Sequence, residues 1–342
     1  MRIAWHRGTA PATIATLASL ATFATLGIVA ALSILHAPPA LAQAYPNKPV
    51  RVIVPFAAGS GSDVGARIVA EAVGKSLGQA FVIDNRPGAS GNIGMAAAAK
   101  APPDGYTYVT GGLGVSALNM YLMPMGQLGF DPRTDFEPVI LYAKLPFLFA
   151  SSQNFAPGNV RELIAAIKAK PNTINVAIPS STARLVVELF NRTTNAPLFL
   201  VPYKAATNAV TDVVAGTVTL VVDAVAALRP QITSGRLKPI AVTTRRNSEL
   251  LPGVSSLAEQ GLTDWDFAGW VSLYAPRGTP REAIAVFNAE MNKALLLPDT
   301  KRRYLDLGFE TGGGTPQDLF EFENAERNRW GPLIKAANIT AE

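Results

Sequence analysis

The sequence predicts a two-lobed α/β protein, and three observations carry that reading. Strand and helix signals alternate almost throughout the chain; the alternation falls into two series separated near Pro157; and after the second series a strand and two helices return. The first series opens with Val50–Phe56, a short β-branched run that ends at a Gly/Ser turn. Asp63–Gly78 follows with Val64, Ile68, Ala72 and Val73 at helical spacing, and Asp63 stands where an N-cap is expected. Phe81–Asp84 reads as a second strand. Arg86-Pro87-Gly88 turns into a helix around Asn92–Ala101, and Pro102-Pro103-Asp104-Gly105 turns into a third strand, Tyr106–Thr110. This β-α-β-α-β order implies a parallel sheet covered by helices.

The second series reads as helix Val160–Lys170, strand Ile174–Ile178, helix Ala183–Thr194, strand Leu198–Tyr203, helix Ala206–Ala215, and strands Val218–Asp223 and Pro239–Thr243. Strand Trp270–Ala275 and helices Pro280–Leu297 and Pro316–Ala337 form the return, so the chain is expected to cross between lobes more than once.

Residues 1–42 read as a secretory signal. Arg2 and Arg7 supply a basic start, an apolar small-residue run extends from Ala12 to Leu35, and Ala40-Leu41-Ala42 fits signal peptidase. Cleavage there or after the overlapping Ala42-Gln43-Ala44 leaves Gln43 or Tyr45 as the first residue. A run rich in Ala and Thr favours cleavage over retention as an anchor, and the product is expected in the periplasm.

The composition excludes much chemistry. The chain has no Cys and two His, and both histidines, His6 and His36, lie in the leader. The mature protein therefore has no thiolate nucleophile, no disulfide, no Ser-His-Asp triad and few means of ligating zinc or copper, and neither a metal nor a cofactor is expected. The formal net charge is +5, and the leader takes two arginines and no acid with it. So small an excess gives no case for nucleic acid. About 300 mature residues suffice for two domains.

In open parallel sheets, ligands bind beyond the carboxyl ends of strands, where helix N-termini offer unpaired N–H groups to anions. The candidate segments are Ala57–Asp63, with Ala58, Gly59 and Asp63; Gly111–Ser116, with Gly112 and Ser116; Ser180–Arg184, with Ser180, Ser181, Thr182 and Arg184; and the strand ends at Tyr203 and Asp223. Asp223 closes an apolar strand and needs a partner. Arg184 stands in the first turn of a helix, where a cation opposes the dipole unless it meets a carboxylate. An enzyme reading competes: Gly59-x-Gly61-x-x-x-Gly65 after a strand, with Asp84 ending the next, is similar to a dinucleotide-binding turn of a secreted oxidoreductase. Its third glycine falls one position late.

Several motifs in order resemble the Bug (TctC-like) family, the extracytoplasmic solute-binding receptors of tripartite tricarboxylate transporters. Tyr45-Pro46-x-Lys48-Pro49 with Val52–Phe56, Gly59 and Asp63 resembles the family's opening. Asp84–Ala89 with Gly91-Asn92-Ile93-Gly94 follows, then Pro103–Thr107 and Asp135-Phe136-x-Pro138-Val139. Val201–Lys204, Asp223, Gly235-x-Leu237-x-Pro239–Thr243, Leu251-Pro252-x-Val254, Ala275-Pro276-x-Gly278-Thr279-Pro280 and Trp330 complete a likeness running from Tyr45 to about Ile339. The resemblance implies a type II periplasmic-binding-protein fold, each lobe a mostly parallel sheet flanked by helices, with 45–145 and 266–342 in the first lobe and 146–265 in the second. It also implies no catalysis, a small carboxylate held by loop N–H groups, hydroxyls and waters, a membrane permease as partner, and a monomer. Two departures bear on the ligand. The third-strand loop, usually rich in Ser and Thr, keeps only Ser116, and the loop Ile178–Arg184 is shorter than usual, with Arg184 near the family's His. Both point to a ligand more apolar at one end than citrate, met by a guanidinium.

Overall fold

The computed structural model describes residues 1, 4, 45–203, 205–336 and 339. The leader read over residues 1–42 lies, apart from positions 1 and 4, outside the described residues. Residues 1–47 and 48–342 separate into two units, and the elements below belong to the second.

In chain order the strands are β1 (Val50–Val54), β2 (Phe81–Asn85), β3 (Thr107–Gly112), β4 (Phe136–Ser152), β5 (Asn175–Ile178), β6 (Phe199–Pro202), β7 (Leu220–Ala224), β8 (Leu237–Val242), β9 (Ala268–Pro276) and β10 (Glu310–Gly313). The helices are α1 (Gly61–Leu77), α2 (Asn92–Ala99), α3 (Asn119–Leu122), α4 (Met125–Leu128), α5 (Val160–Ala169), α6 (Ser181–Thr194), α7 (Ala206–Val214), α8 (Val225–Thr233), α9 (Arg281–Leu296), α10 (Pro298–Leu307) and α11 (Pro316–Ala336). A π-helical turn, Leu113–Leu118, follows β3 directly.

The strands lie in the order β2-β1-β3-β9-β4-β7-β5-β6, with β10 and β8 also on β4. Pairing is parallel on the two flanks, β2-β1-β3 and β7-β5-β6, as the βαβ reading expects. It is antiparallel wherever β4 or β9 takes part with the strands beside them. β4 is the element that joins the halves. Phe136–Pro146 pairs with β9, and Phe147–Ser151 with β7. Its partners change between Pro146 and Phe147, where a residue without an N–H ends one ladder as the next begins.

Apolar periodicity places the cores. One face of the first half buries Val50, Val52, Ile68, Tyr108, Phe287 and Tyr304 between the sheet and α1, α9 and α10. The opposite face is continuous with the second half through rings: Phe149 meets Phe190 and Phe190 meets Trp265, while Phe147 meets Phe267 and Phe267 meets Trp330 of α11. Each such pair contributes about 0.5–1.5 kcal/mol beyond its buried area. A third cluster, with Leu148, Val213, Val221 and Leu228, lies under α7 and α8.

Sequence and structure part at several places. The expected elements are present within a residue or two, but the π-helical turn, α3, α4, β4, α8, α10 and β10 were not foreseen. The N-cap of α1 is Ser60, whose Oγ accepts from the Asp63 N–H at 3.3 Å, and Asp63 lies three residues inside the helix.

Candidate functional site

The loop between β1 and α1 is held by a buried carboxylate. Asp63 is 2% exposed, and its oxygens accept from the Gly59 N–H at 2.9 Å, from Asn85 Nδ2 at 2.9 Å and from the Arg67 guanidinium at 3.0 Å. Burial works against its charge, but the hydrogen bonds from Arg67, Gly59 and Asn85 outweigh that and hold the carboxyl below the ordinary range. Asp63 thus fastens the loop and is already neutralised by Arg67. The tip is open: Ala57, Ala58, Gly59 and Gly61 are exposed. The N–H groups of Ala58, Gly61 and Ser62 have no protein acceptor among the described residues, leaving a helix N-terminus able to take an anion.

The turn after β3 is next to it, since Phe56 and Val115 both lie against Gly91. Gly112 and Ser116 are buried, and the Ser116 hydroxyl accepts from the Gly112 N–H at 3.3 Å. Gly111 has to be glycine, because a Cβ there would stand 2.4 Å from the Tyr274 ring and 2.6 Å from Ser116 Oγ. Behind the turn, Arg327 donates to the Ser116 carbonyl at 3.1 Å and to Glu323 at 3.2 Å, and the Tyr274 hydroxyl donates to Glu323. Burial lifts the Glu323 carboxyl to about 7, against the pull of Arg327 and Tyr274. Ser116 therefore faces this internal network, and Gly114 is the exposed residue of the turn.

Parallel pairing brings the second group together at the carboxyl ends of β5, β6 and β7. Ser180 caps α6 by accepting from the Ala183 N–H at 3.1 Å, so Ser181 and Thr182 occupy its first turn, half-buried. Arg184 is 41% exposed in its side chain; its Nε is buried, has no hydrogen-bond partner among the described residues and stands 4.0 Å from Glu188. The Tyr203 N–H donates to Ile178 O at 2.9 Å, tying β6 to the root of the Ser180 loop. Its hydroxyl donates to Asp212 at 2.6 Å, and that bond, with some burial, raises its pKa to about 12. Asp223 is 9% exposed and, among the described residues, accepts only from the Ala224 N–H at 2.8 Å; burial pushes its carboxyl up.

Gly308 and Phe309, between α10 and β10, connect the two groups. The Phe309 ring lies over Gly61 and Gly65 at the start of α1, and Gly308 lies against Ala226 in the first turn of α8, three residues after Asp223. Sequence reasoning missed this pair. Its one signal was a glycine ending a helical stretch.

The carboxylate of the dinucleotide reading has structural partners. Asp84 is paired through Oδ2 with Arg51 at 2.6 Å and with Arg86 at 3.0 Å, so its charge is already met by two guanidinium groups.

The model of the family described as tripartite tricarboxylate transporter family receptor matches residues 65–339. The chain belongs to that family. Relatives agree along its length. Protein BugT of Bordetella pertussis (strain Tohama I) is 32% identical over 302 residues, 87% of this chain and 92% of that one. The R. palustris protein Rpa4515, solved with adipate, is 35% identical with a TM-score of 0.69, covering 86% of this chain and 99% of the other. MatC from Rhodopseudomonas palustris, solved with bound malate, is 30% identical with a TM-score of 0.65, covering 85% and 100%. The receptor accordingly has the two-lobed α/β fold of periplasmic solute-binding proteins and the role of binding a solute for transport, and it is not an enzyme. The oxidoreductase alternative has no support among these relatives. Among the described residues no helix is long and apolar enough to cross a membrane, and no group of His, Cys, Asp and Glu is arranged to hold a metal ion.

Proposed function

We propose that this receptor captures a small organic mono- or dicarboxylate between its two halves and delivers it to the membrane permease of a tripartite tricarboxylate-type transporter. The observation that carries this is the pair of helix N-termini, α1 and α6. Each is capped by a serine, and each first turn is free of an unneutralised acid. Unpaired N–H groups in that setting favour a carboxylate, and the relatives solved with adipate and malate support the same class.

In this reading Ala58 and Gly59 serve from one lobe and Ser180, Ser181 and Thr182 from the other. Asp63 orients the first loop, and Gly112 and Ser116 shape the turn beside it. The Nε of Arg184 meets one carboxylate oxygen. Tyr203 and Asp223 line the second-lobe side, where burial pushes the Asp223 carboxyl above its ordinary range. The lobes are 45–145 with 266–342, and 146–265. The change of partners along β4 supports a hinge there, so that the solute draws the open form toward the closed one. The receptor acts as a monomer in the periplasm after its leader is removed.

Isothermal titration of the mature chain with adipate, malate and NAD tests this. Micromolar binding of an organic acid with no heat from NAD is expected. Binding of NAD with indifference to carboxylates would overturn it.

A further inference from the structure

β4 and β9 run side by side and part at one point. Their ladder sets Lys144 opposite Trp270, Leu145 opposite Gly269 and Pro146 opposite Ala268, and it ends there. Phe147 and Phe267 would form the next pair, but β4 has by then turned to other strands, with Leu148 opposite Val242 of β8 and Asp223 of β7. The residue that fills the fork is Thr243, the first after β8 and the last of the Gly235–Thr243 motif. No role assigned above uses it.

Thr243 is bonded to both prongs of the fork, through backbone and side chain alike. Its N–H donates to Phe147 O at 2.9 Å, and its carbonyl accepts from the Phe267 N–H at 2.8 Å. Its hydroxyl accepts from the Phe147 N–H at 3.1 Å and donates to Phe267 O at 2.9 Å, with Phe147 O as a second acceptor at 3.2 Å. The hydroxyl therefore bridges the two strands where their direct ladder stops. Thr243 is 0% exposed, so water cannot take over either bond. The rings of Phe147 and Phe267 meet edge-on at 5.4 Å, and Phe267 meets Trp330 of α11 at 5.3 Å, which seats the fork on that helix.

In the lobe division proposed above, the chain passes between lobes at 145–146 and again at 265–266. Phe147 then falls just inside the second lobe and Phe267 just inside the first, and one side chain joins them. Rotation of one lobe against the other has to bend both passages, and hinge motion is absorbed by a few residues at such element ends.

We infer that Thr243 is the hinge pin of this receptor: its hydroxyl ties the two interlobe passages together, so that they bend as one when a solute is captured. The inference rests on the reading of the two halves as lobes that close on a carboxylate. Thr243 touches no solute in this scheme; it is a positioning residue that acts through closure.

The chain has no Cys, so introduced thiols are the only points of labelling. Spin labels on a Lys100→Cys/Lys168→Cys mature chain, at exposed positions on opposite lobes, report the interlobe distance by pulsed electron resonance with and without adipate. Thr243→Val keeps the shape and removes the bridge, whereas Thr243→Ser keeps the bridge. In Thr243→Val the solute-free distance distribution should be about twice as broad and adipate affinity about fivefold weaker, because closure no longer proceeds as one movement; Thr243→Ser should match the parent in both. Parent-like width and affinity in Thr243→Val, or a Thr243→Ser protein as broad as Thr243→Val, overturns the pin and leaves carboxylate capture intact. A parent whose distances ignore both adipate and malate counts against capture instead, and the solute-free widths then decide the pin alone. If Thr243→Val does not fold, native-state hydrogen exchange of the parent decides: the Phe147 and Phe267 amides should open at rates within about threefold of each other, and a difference of about tenfold or more overturns the inference.

Discussion

Gly308→Ala is the sharpest probe of how the two halves meet. Gly308 ends α10 with φ +77°, donating its N–H to Leu305 O at 3.0 Å. An alanine there incurs two costs. The left-handed backbone costs about 1–2 kcal/mol for a residue with a Cβ. The added Cβ would also stand 2.3 Å from the Ala226 Cβ, 2.8 Å from its Cα and 3.4 Å from its N. Carbon atoms pack at about 3.5–4.0 Å, so α8 must move by an ångström or more, and overpacking of that kind costs about 1–3 kcal/mol. Together the loss is about 2–5 kcal/mol, a large part of the roughly 5–15 kcal/mol that holds a typical domain. Urea unfolding followed by tryptophan emission measures it. The second substitution, Ala226→Gly, removes the 2.3 Å overlap but neither the backbone cost nor the approach of the Cα. The double variant should therefore regain about 1 kcal/mol relative to the sum of the singles. Carboxylate affinity should fall in Gly308→Ala, because the wedge holds α8 off the turn that abuts α1. A single variant within 0.5 kcal/mol of the parent, or a strictly additive double variant, refutes the contact.

Three further outcomes are expected. Asp63→Asn places an amide where four donors converge, so it should destabilise the fold by about 2–4 kcal/mol at pH 7. Because the folded carboxyl lies below its unfolded value, that contribution is present above about pH 4 and disappears in acid; the variant's deficit in melting temperature should shrink on going from pH 7 to pH 3. Glu323 has the opposite sign. Its folded value near 7 exceeds the unfolded 4.5, so its contribution is full below pH 4.5 and declines as pH rises to 7, by on the order of 3 kcal/mol; Glu323→Gln should flatten that part of a thermal-melt pH series, and an unchanged slope would count against the buried network. Arg184→Ala should lower carboxylate affinity about tenfold or more in calorimetry, with the ligand-free melting temperature nearly unmoved, since its one ionic neighbour stands 4.0 Å away. Retained affinity would remove Arg184 from the site.

The elements legible in the sequence are those whose local signals agree with their tertiary setting. β1, α1, β5 and α6 show apolar runs or helical spacing beside a serine or glycine turn, and those same turns become the open helix N-termini. The two groups of site loops were legible for the same reason. β4 was not, and two prolines interrupt its run; the structure absorbs Pro138 beside a register shift and places Pro146 where the ladder changes partners. β10 reads as Glu310-Thr311-Gly312-Gly313, with no apolar alternation, and is a strand only because β4 offers it an edge. α8 carries Pro230 inside it, and no element was assigned to its span from the sequence.

What the sequence determined by itself was the alternation of strand and helix, the absence of Cys throughout and of His beyond residue 36, and the small-residue turns where N–H groups open to an anion. These are local properties, set by backbone preferences and by which side chains exist. Only the tertiary structure decided which polar groups remain available. It turned Ser116 inward to Gly112, bound Asp63 to Arg67 and Tyr203 to Asp212, and left Arg184 Nε without a hydrogen-bond partner among the described residues. Hydrogen bonds and ion pairs saturate, so the availability of any one group depends on neighbours that the chain brings from far away.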